Sequence, residues 1–257
     1  MNELAKFVGF VCLVAAVLYS SRAMGAEDDG AAGAGENASN PLAKVSNIDV
    51  KWQHLDSFVG LGEVNDLFID GAFMVNPKLK IKYELHYWET DITGRSESAL
   101  EKAVIKTIYF PTQGKFANGT TYRVAVGFDL IEDFDNQDKG IGTGADQIAP
   151  FVGIALGLER GTTIIPLLQQ FWSHSGVDVN TTAFRVIAIQ PLPQRMWLKL
   201  DAKVPIDWEN DTIPANAELQ FGKNINKKLA LYAEALIGIG GDKLYDWGVG
   251  VGIRFKY

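Results

Sequence analysis

Cysteine, long apolar runs and an excess of basic charge are what this sequence has least of. Its single cysteine, Cys12, lies in the only long apolar stretch, Phe7 to Leu18. Lys6 precedes that stretch, and Tyr19, Ser20, Ser21 and Arg22-Ala23-Met24-Gly25-Ala26 follow it. About a dozen apolar residues are too few to cross a bilayer core of roughly 30 Å as a helix. A cation, a short apolar core and small residues near position 25 or 26 are instead the layout of a cleaved secretory signal, residues 1–26. Val11, before Cys12, is not the small residue that lipid attachment at a processed cysteine needs. The mature chain then holds no cysteine, which excludes a disulfide framework and points to a bacterial envelope protein. In that setting sequons such as Asn118-Gly119-Thr120 carry no glycosylation meaning.

With 24 Lys and Arg against 31 Asp and Glu, the formal net charge is −7. That excludes a nucleic-acid partner, whose phosphates call for a basic face. The hydrophobic share is 47%, so the 257-residue chain is not disordered. No second apolar run exists for a helical membrane protein. A soluble fold or a membrane barrel remains.

Residues 27–44, rich in Gly, Ala and acid, show no periodicity and read as a flexible mature N-terminus. From 45 to 257 the period is two. In Leu79 to Trp88, the residues Leu79, Ile81, Tyr83, Leu85 and Tyr87 alternate with Lys80, Lys82, Glu84, His86 and Trp88. The same alternation runs through Thr121 to Ile131, Met196 to Trp208, Leu229 to Ile239 and Trp247 to Tyr257. Alternate side chains of a strand point to opposite faces, whereas a helix would scatter these charges around its circumference.

Twelve such segments are expected: 46–55, 65–75, 79–90, 100–110, 120–131, 147–158, 162–172, 180–190, 196–208, 214–223, 229–239 and 246–257. Their length suits tilted strands crossing a bilayer. Short turns (Asn76-Pro77-Lys78, 159–161, 191–195, 224–228) alternate with longer polar loops (91–99, 132–146, 173–179). Aromatics near segment ends (Tyr87, Tyr122, Trp208, Phe221, Trp247, Tyr257) would form interfacial girdles. The expected fold is all-β: a transmembrane antiparallel up-and-down barrel of about twelve strands, both termini periplasmic. Residues 98–106 also carry a capping-box spacing, Ser98 to Glu101, with a strand preferred from Ala103 onward. Pro150, Pro166, Pro205 and Pro214 fall inside the segments, where bulges or strand ends are expected.

Laid out this way, the chain resembles the MetA-pathway phenol-degradation family of outer-membrane barrels. The likeness is carried by SNPLAKVSNIDVKWQ (39–53), LKIKYELHYWETDITG (79–94), DFDNQDKGIGTGADQIAP (133–150), VPIDWEN (204–210) and YDWGVGVGIRFKY (245–257). The resemblance implies passage of small, often aromatic or apolar, solutes across the bacterial outer membrane, and assigns no catalytic residue. For an outer-membrane barrel the expected partners are lipid, lipopolysaccharide and the barrel assembly machinery, besides the small-molecule solute.

The residues expected to line the lumen are Lys80, Lys82, Glu84, His86, Arg123, Asp129, Arg185, Lys199, Asp201, Lys203, Glu218, Gln220, Glu234, Arg254 and Lys256. Charges inside a barrel must be hydrated or paired. A twelve-stranded barrel has a backbone radius of roughly 11–12 Å, so either an open pore or a plug of paired charges and inward-folded chain fits. Gly248, Gly250 and Gly252 are expected to leave one wall bare.

No enzyme is expected. His174 and Ser175 are adjacent, cannot share a strand face, and read with Gly176 as loop. His54 and His86 lie in different segments without metal-ligand spacing. Asp133, Asp135, Asp138 and Asp146 lack the glycine and glutamate of an EF-hand and read as a solvated acidic loop, with divalent-ion bridging to lipopolysaccharide as a secondary reading. Neither cofactor nor metal is called for.

Overall fold

A computed structural model describes residues 37–158 and 161–257. The expected signal, 1–26, and residues 27–36 lie outside the described residues. The described chain is almost entirely strand: β1 (Asn47–Phe58), β2 (Gly62–Asn76), β3 (Leu79–Thr90), β4 (Glu97–Tyr109), β5 (Gln113–Lys115), β6 (Thr121–Asp133), β7 (Ala145–Gly157), β8 (Thr163–Gly176), β9 (Asn180–Leu192), β10 (Met196–Asp207), β11 (Ala215–Asn224), β12 (Leu229–Ile239) and β13 (Trp247–Lys256). Apart from β4 and β5, strands adjacent in sequence pair antiparallel, β1 pairs β13, and β4 pairs β6, so the sheet closes on itself. The short β5 prolongs β4 along the same edge of β6. Tyr109 pairs Val126 and, past Phe110-Pro111-Thr112, Gln113 pairs Arg123. Twelve staves result, as the alternation predicts.

The two faces of the wall explain the alternation. Along β13, Trp247, Val249, Val251, Ile253 and Phe255 are exposed while Gly250, Gly252 and Arg254 are buried. Val251 is 54% exposed and Arg254 6%. Leu198, Leu200 and Val204 repeat this on β10, and Phe184 and Val186 on β9. An apolar band continuous around a closed barrel is far larger than a soluble monomer exposes, and it fits a hydrocarbon surround. Tyr87, Trp208, Phe221, Trp247 and Tyr257 are exposed near the ends of their strands, as girdles require. Tyr122 instead lies over Gly114, its direct partner on β5.

Local expectations are corrected in five places. Residues 98–106 are strand throughout, because β3 on one side and β6 on the other supply a ladder that outweighs helix propensity. No bulge marks the prolines. Pro150 and Pro166 stay in strand where the β7–β8 ladder has gaps, and each pairs on its other edge, with Phe128 and Val186. Pro205 pairs with Ala183, and Pro214 does end a strand, lying one residue before β11. His174-Ser175-Gly176 is the end of β8 and not loop: Ser175 pairs Asp146, Ser173 pairs Gln147, and His174 is the bulged residue between them.

The acidic loop is also ordered from within. Asp133 is 2% exposed and accepts from the backbone N–H of Asp135 (2.8 Å), Thr143 (2.8 Å) and Gly144 (3.1 Å) and from Gln137 Nε2 (2.7 Å). It organises the loop instead of being solvated.

The largest departure concerns the N-terminus. Residues 37–44, expected to be flexible, fold into the barrel at the end where the short turns lie. Leu42, 1% exposed, sits among Ile108, Phe110, Ala125, Ala155, Ile165, Ile187 and Ile189 of the inner wall. Burying a leucine side chain contributes about 1.5–3 kcal/mol. Asn40 shapes the segment: its Oδ1 accepts from Leu42 N at 2.8 Å and its carbonyl from Ala43 N at 3.0 Å.

Candidate functional site in the barrel lumen

Every lumen residue expected from the alternation is on the inward register of its strand, but the structure sorts them into different tasks. Four of them hold the N-terminal segment. Lys80, 1% exposed, donates to the carbonyls of Ala43 (2.6 Å) and Pro41 (3.3 Å). Arg123 Nη1 donates to the carbonyl between them, that of Leu42, at 3.0 Å. From the opposite wall Arg254 Nη1 donates to Ser39 Oγ at 2.8 Å, and Ser39 Oγ donates to Gln220 Oε1 at 2.8 Å. A strand-free segment cannot satisfy its own backbone, so the wall's cations complete it.

Behind these contacts runs a buried network. Arg254 engages Asp49 through Nε (2.9 and 2.8 Å) and Nη2 (2.7 Å), and Tyr232 OH donates to Asp49 Oδ2 at 2.9 Å. Trp197 Nε1 donates to Gln220 Oε1 at 2.9 Å, and Gln220 Nε2 donates to Glu234 Oε1 at 2.6 Å. Glu234 also pairs with Lys51 and accepts from Gln53 Nε2 at 2.9 Å.

A second group lies further toward the loops. Arg185 grips Asp201 with two bonds of 2.7 and 2.6 Å, and Lys199 joins Asp201 (3.3 Å) to Glu218 (2.9 Å). Lys106 pairs with Asp129 at 2.9 Å. His86 Nδ1 lies 2.8 Å from Asp66 Oδ2 with its ring stacked on Phe68, and its Nε2 is 3.7 Å from Glu84, which Lys82 approaches at 3.8 Å. Lys256 bonds the side chain of Asn224 at the turn end. Lys203 rests over the ring of Phe171, 5.3 Å from its centroid, as Arg254 does over Tyr232 (5.1 Å) and Arg123 over Phe110 (5.8 Å).

The glycine wall is not bare. Inward glycines stand directly opposite bulky residues that lie down over them: Gly252 under Tyr232, Gly222 under Trp197, Gly127 under Phe151 and Gly153 under Leu167. Gly250 faces Gln53 and Glu234, and Gly248 faces Leu55. A Cβ at any of the first four would collide with the covering side chain, so these glycines set how low the aromatic lies against the wall.

Asp49, Lys51, Asp66, Lys102 and Lys106 belong to the lumen and were not singled out from the sequence. The alternation of β1, β2 and β4 carried the signal. On the outer face near the loops, the ligand atoms of His54, Asp56 and Glu63 lie within 4.8 Å of one another, a grouping built by strand pairing that spacing along the chain does not reveal. His54 Nδ1 is 3.2 Å from Asn65 Oδ1.

A pocket of about 320 Å³ opens beside the inserted segment, at the turn end. Asn37 and Asn40 form one side, and Thr163, Ile189, Arg195 and Trp197 are among those on the other. The segment thus forms part of the lining of this pocket.

No protein-family model and no curated protein matches the sequence. Solved structures do match in fold. The COG4313 outer membrane channel from Pseudomonas putida F1 aligns with TM-score 0.61 and 10% identity, over 90% of this chain and all 100% of that one. The NanC porin aligns with TM-score 0.60 and 10% identity, over 82% of this chain and 100% of that one. The KdgM porin aligns with TM-score 0.56 and 8% identity, over 82% of this chain and 99% of that one. At such identities the likeness establishes the fold alone.

Proposed function

We propose that this protein is a passive outer-membrane channel for small solutes whose turn-side mouth is closed by its own residues 37–44. One observation carries the reading. The wall alone does not fill the lumen at that end; a short piece of irregular chain does, seated by Leu42 and tied by Lys80, Arg123 and Arg254. A barrel needing only a solid interior could fill it with side chains of the wall, whereas a segment attached at one end can leave. Solved barrels of this fold bear the names of channels and porins, which supports the reading.

The remaining features agree with it. The apolar outer band and girdle aromatics suit a lipid surround, and an even strand count puts both termini, and hence the inserted segment, on the periplasmic side. Lipopolysaccharide then meets the loop end, and insertion would use the barrel assembly machinery. The resemblance to the MetA-pathway phenol-degradation family favours small aromatic or apolar solutes. The chemistry is passage without catalysis.

Planar-bilayer recording of the refolded protein tests this. Stepwise current that single insertions carry, with occasional closure, is the expected outcome. A stably inserted barrel that passes no current, and whose liposomes do not swell in small sugars, would instead fit the alternative of a closed barrel with a structural or surface role.

A further inference from the structure

Lys203 of β10 stands directly opposite Arg185 of β9, and both point into the lumen. Like charges placed directly opposite destabilise a sheet, so such a pair needs a counter-charge. Arg185 has one, since Asp201 takes two of its donors. Asp201 is thereby committed, being shared with Lys199 as well. No carboxylate ion-pairs with Lys203 among the described residues.

What Lys203 touches is a ring. Its ammonium lies over Phe171, and Lys106 lies over Phe151 in the same way at 5.7 Å. A cation–π contact satisfies part of an ammonium's field but leaves its three N–H donors able to serve an anion. Lys203 lies in the loop-side part of β10, away from the seat of Leu42, so the inserted segment does not cover it.

We infer that Lys203, with Arg185 and Phe171, forms a station in the lumen for a small monoanionic carboxylate with a flat apolar body, such as an aromatic acid. The carboxylate supplies the negative charge that the Lys203–Arg185 pair lacks, and the ring lies offset against Phe171. One uncompensated ammonium calls for one negative charge, so a dianion gains little over a monoanion. A neutral ring of the same shape lacks the ionic contact and an organic cation meets repulsion. This assignment rests on the channel reading for the route by which the anion arrives, but binding itself can be measured without conduction.

Benzoate is the probe. Calorimetric titration of the full-length protein in detergent is expected to show saturable benzoate binding and none for benzyl alcohol or benzylamine at equal concentration. Lys203→Gln should weaken benzoate binding about tenfold, as loss of a charge-assisted contact does. Phe171→Leu should also weaken it while leaving the zero-current potential of the channel in a KCl gradient unchanged. Lys203→Gln should shift that potential toward cation preference. Binding that Lys203→Gln leaves intact, or binding of benzylamine equal to that of benzoate, overturns the assignment. A silent bilayer with benzoate binding intact removes the channel reading and supports the station; conduction without benzoate binding does the reverse.

Discussion

Lys80 donates from the inner wall to the carbonyl of Ala43 at 2.6 Å, and this bond ties a segment outside the barrel's strands to its interior. The ammonium is almost wholly buried, and both oxygens it serves are backbone carbonyls of residues 37–44. Lys80→Met keeps the stem's bulk and removes the donors. The barrel should still fold, because a buried charge disappears with its bonds. Amide exchange at Leu42 and Ala43 should become faster as the segment loosens. Unchanged protection there would show that the tie does not hold the segment.

Asp49 is 0% exposed and depends on Arg254 for its counter-charge. Arg254→Gln leaves that carboxylate buried with only neutral donors, the Tyr232 hydroxyl and the Asn47 amide, beside it. A loss of about 3–5 kcal/mol is expected for breaking a buried pair from one side. Urea unfolding in micelles, followed by tryptophan fluorescence, measures it. Asp49→Asn together with Arg254→Gln should recover part of the loss.

Gly252 lies under the ring of Tyr232, its direct cross-strand partner. Gly252→Ala should destabilise by about 1–3 kcal/mol, the range for overpacking. The same substitution in a Tyr232→Ala background should be nearly neutral. Equal costs in both backgrounds would mean that the ring does not explain the glycine.

Leu200 is on the lipid-facing register, 47% exposed, between inward Lys199 and Asp201. Leu200→Arg should destabilise the inserted barrel by about 2–4 kcal/mol if it lies near the bilayer midplane. Folding titrations into lipid vesicles check this. A neutral result would reverse the faces assigned to β10.

Strand positions and faces were readable from the sequence because two different surroundings, one on each side of the wall, impose the period of two. Residues such as Lys199, Asp201 and Arg254 follow from that period alone. Their partners do not. The Asp49–Arg254 pair joins the first and last strands, and only the closure of the barrel brings them together. The same holds for the glycines: without register, Gly252 and Tyr232 are merely two residues, and the wall looks bare. The insertion of residues 37–44 left no periodic trace, since it depends on donors from β3, β6 and β13 and one apolar seat. Asp133 was misread for a related reason, because its partners are backbone N–H groups that composition does not show.

Closure of the lumen by Leu42 and its neighbours is the central claim, and one recording tests it. Leu42→Asp puts a carboxylate among the apolar side chains of Ile108, Ile165 and Ile187, and should expel the segment while leaving the wall intact. Single-channel recordings should then show a larger unitary conductance and longer openings than wild type, with Leu42→Met unchanged. Identical conductance and open time in Leu42→Asp and wild type, with both barrels folded, would contradict the account.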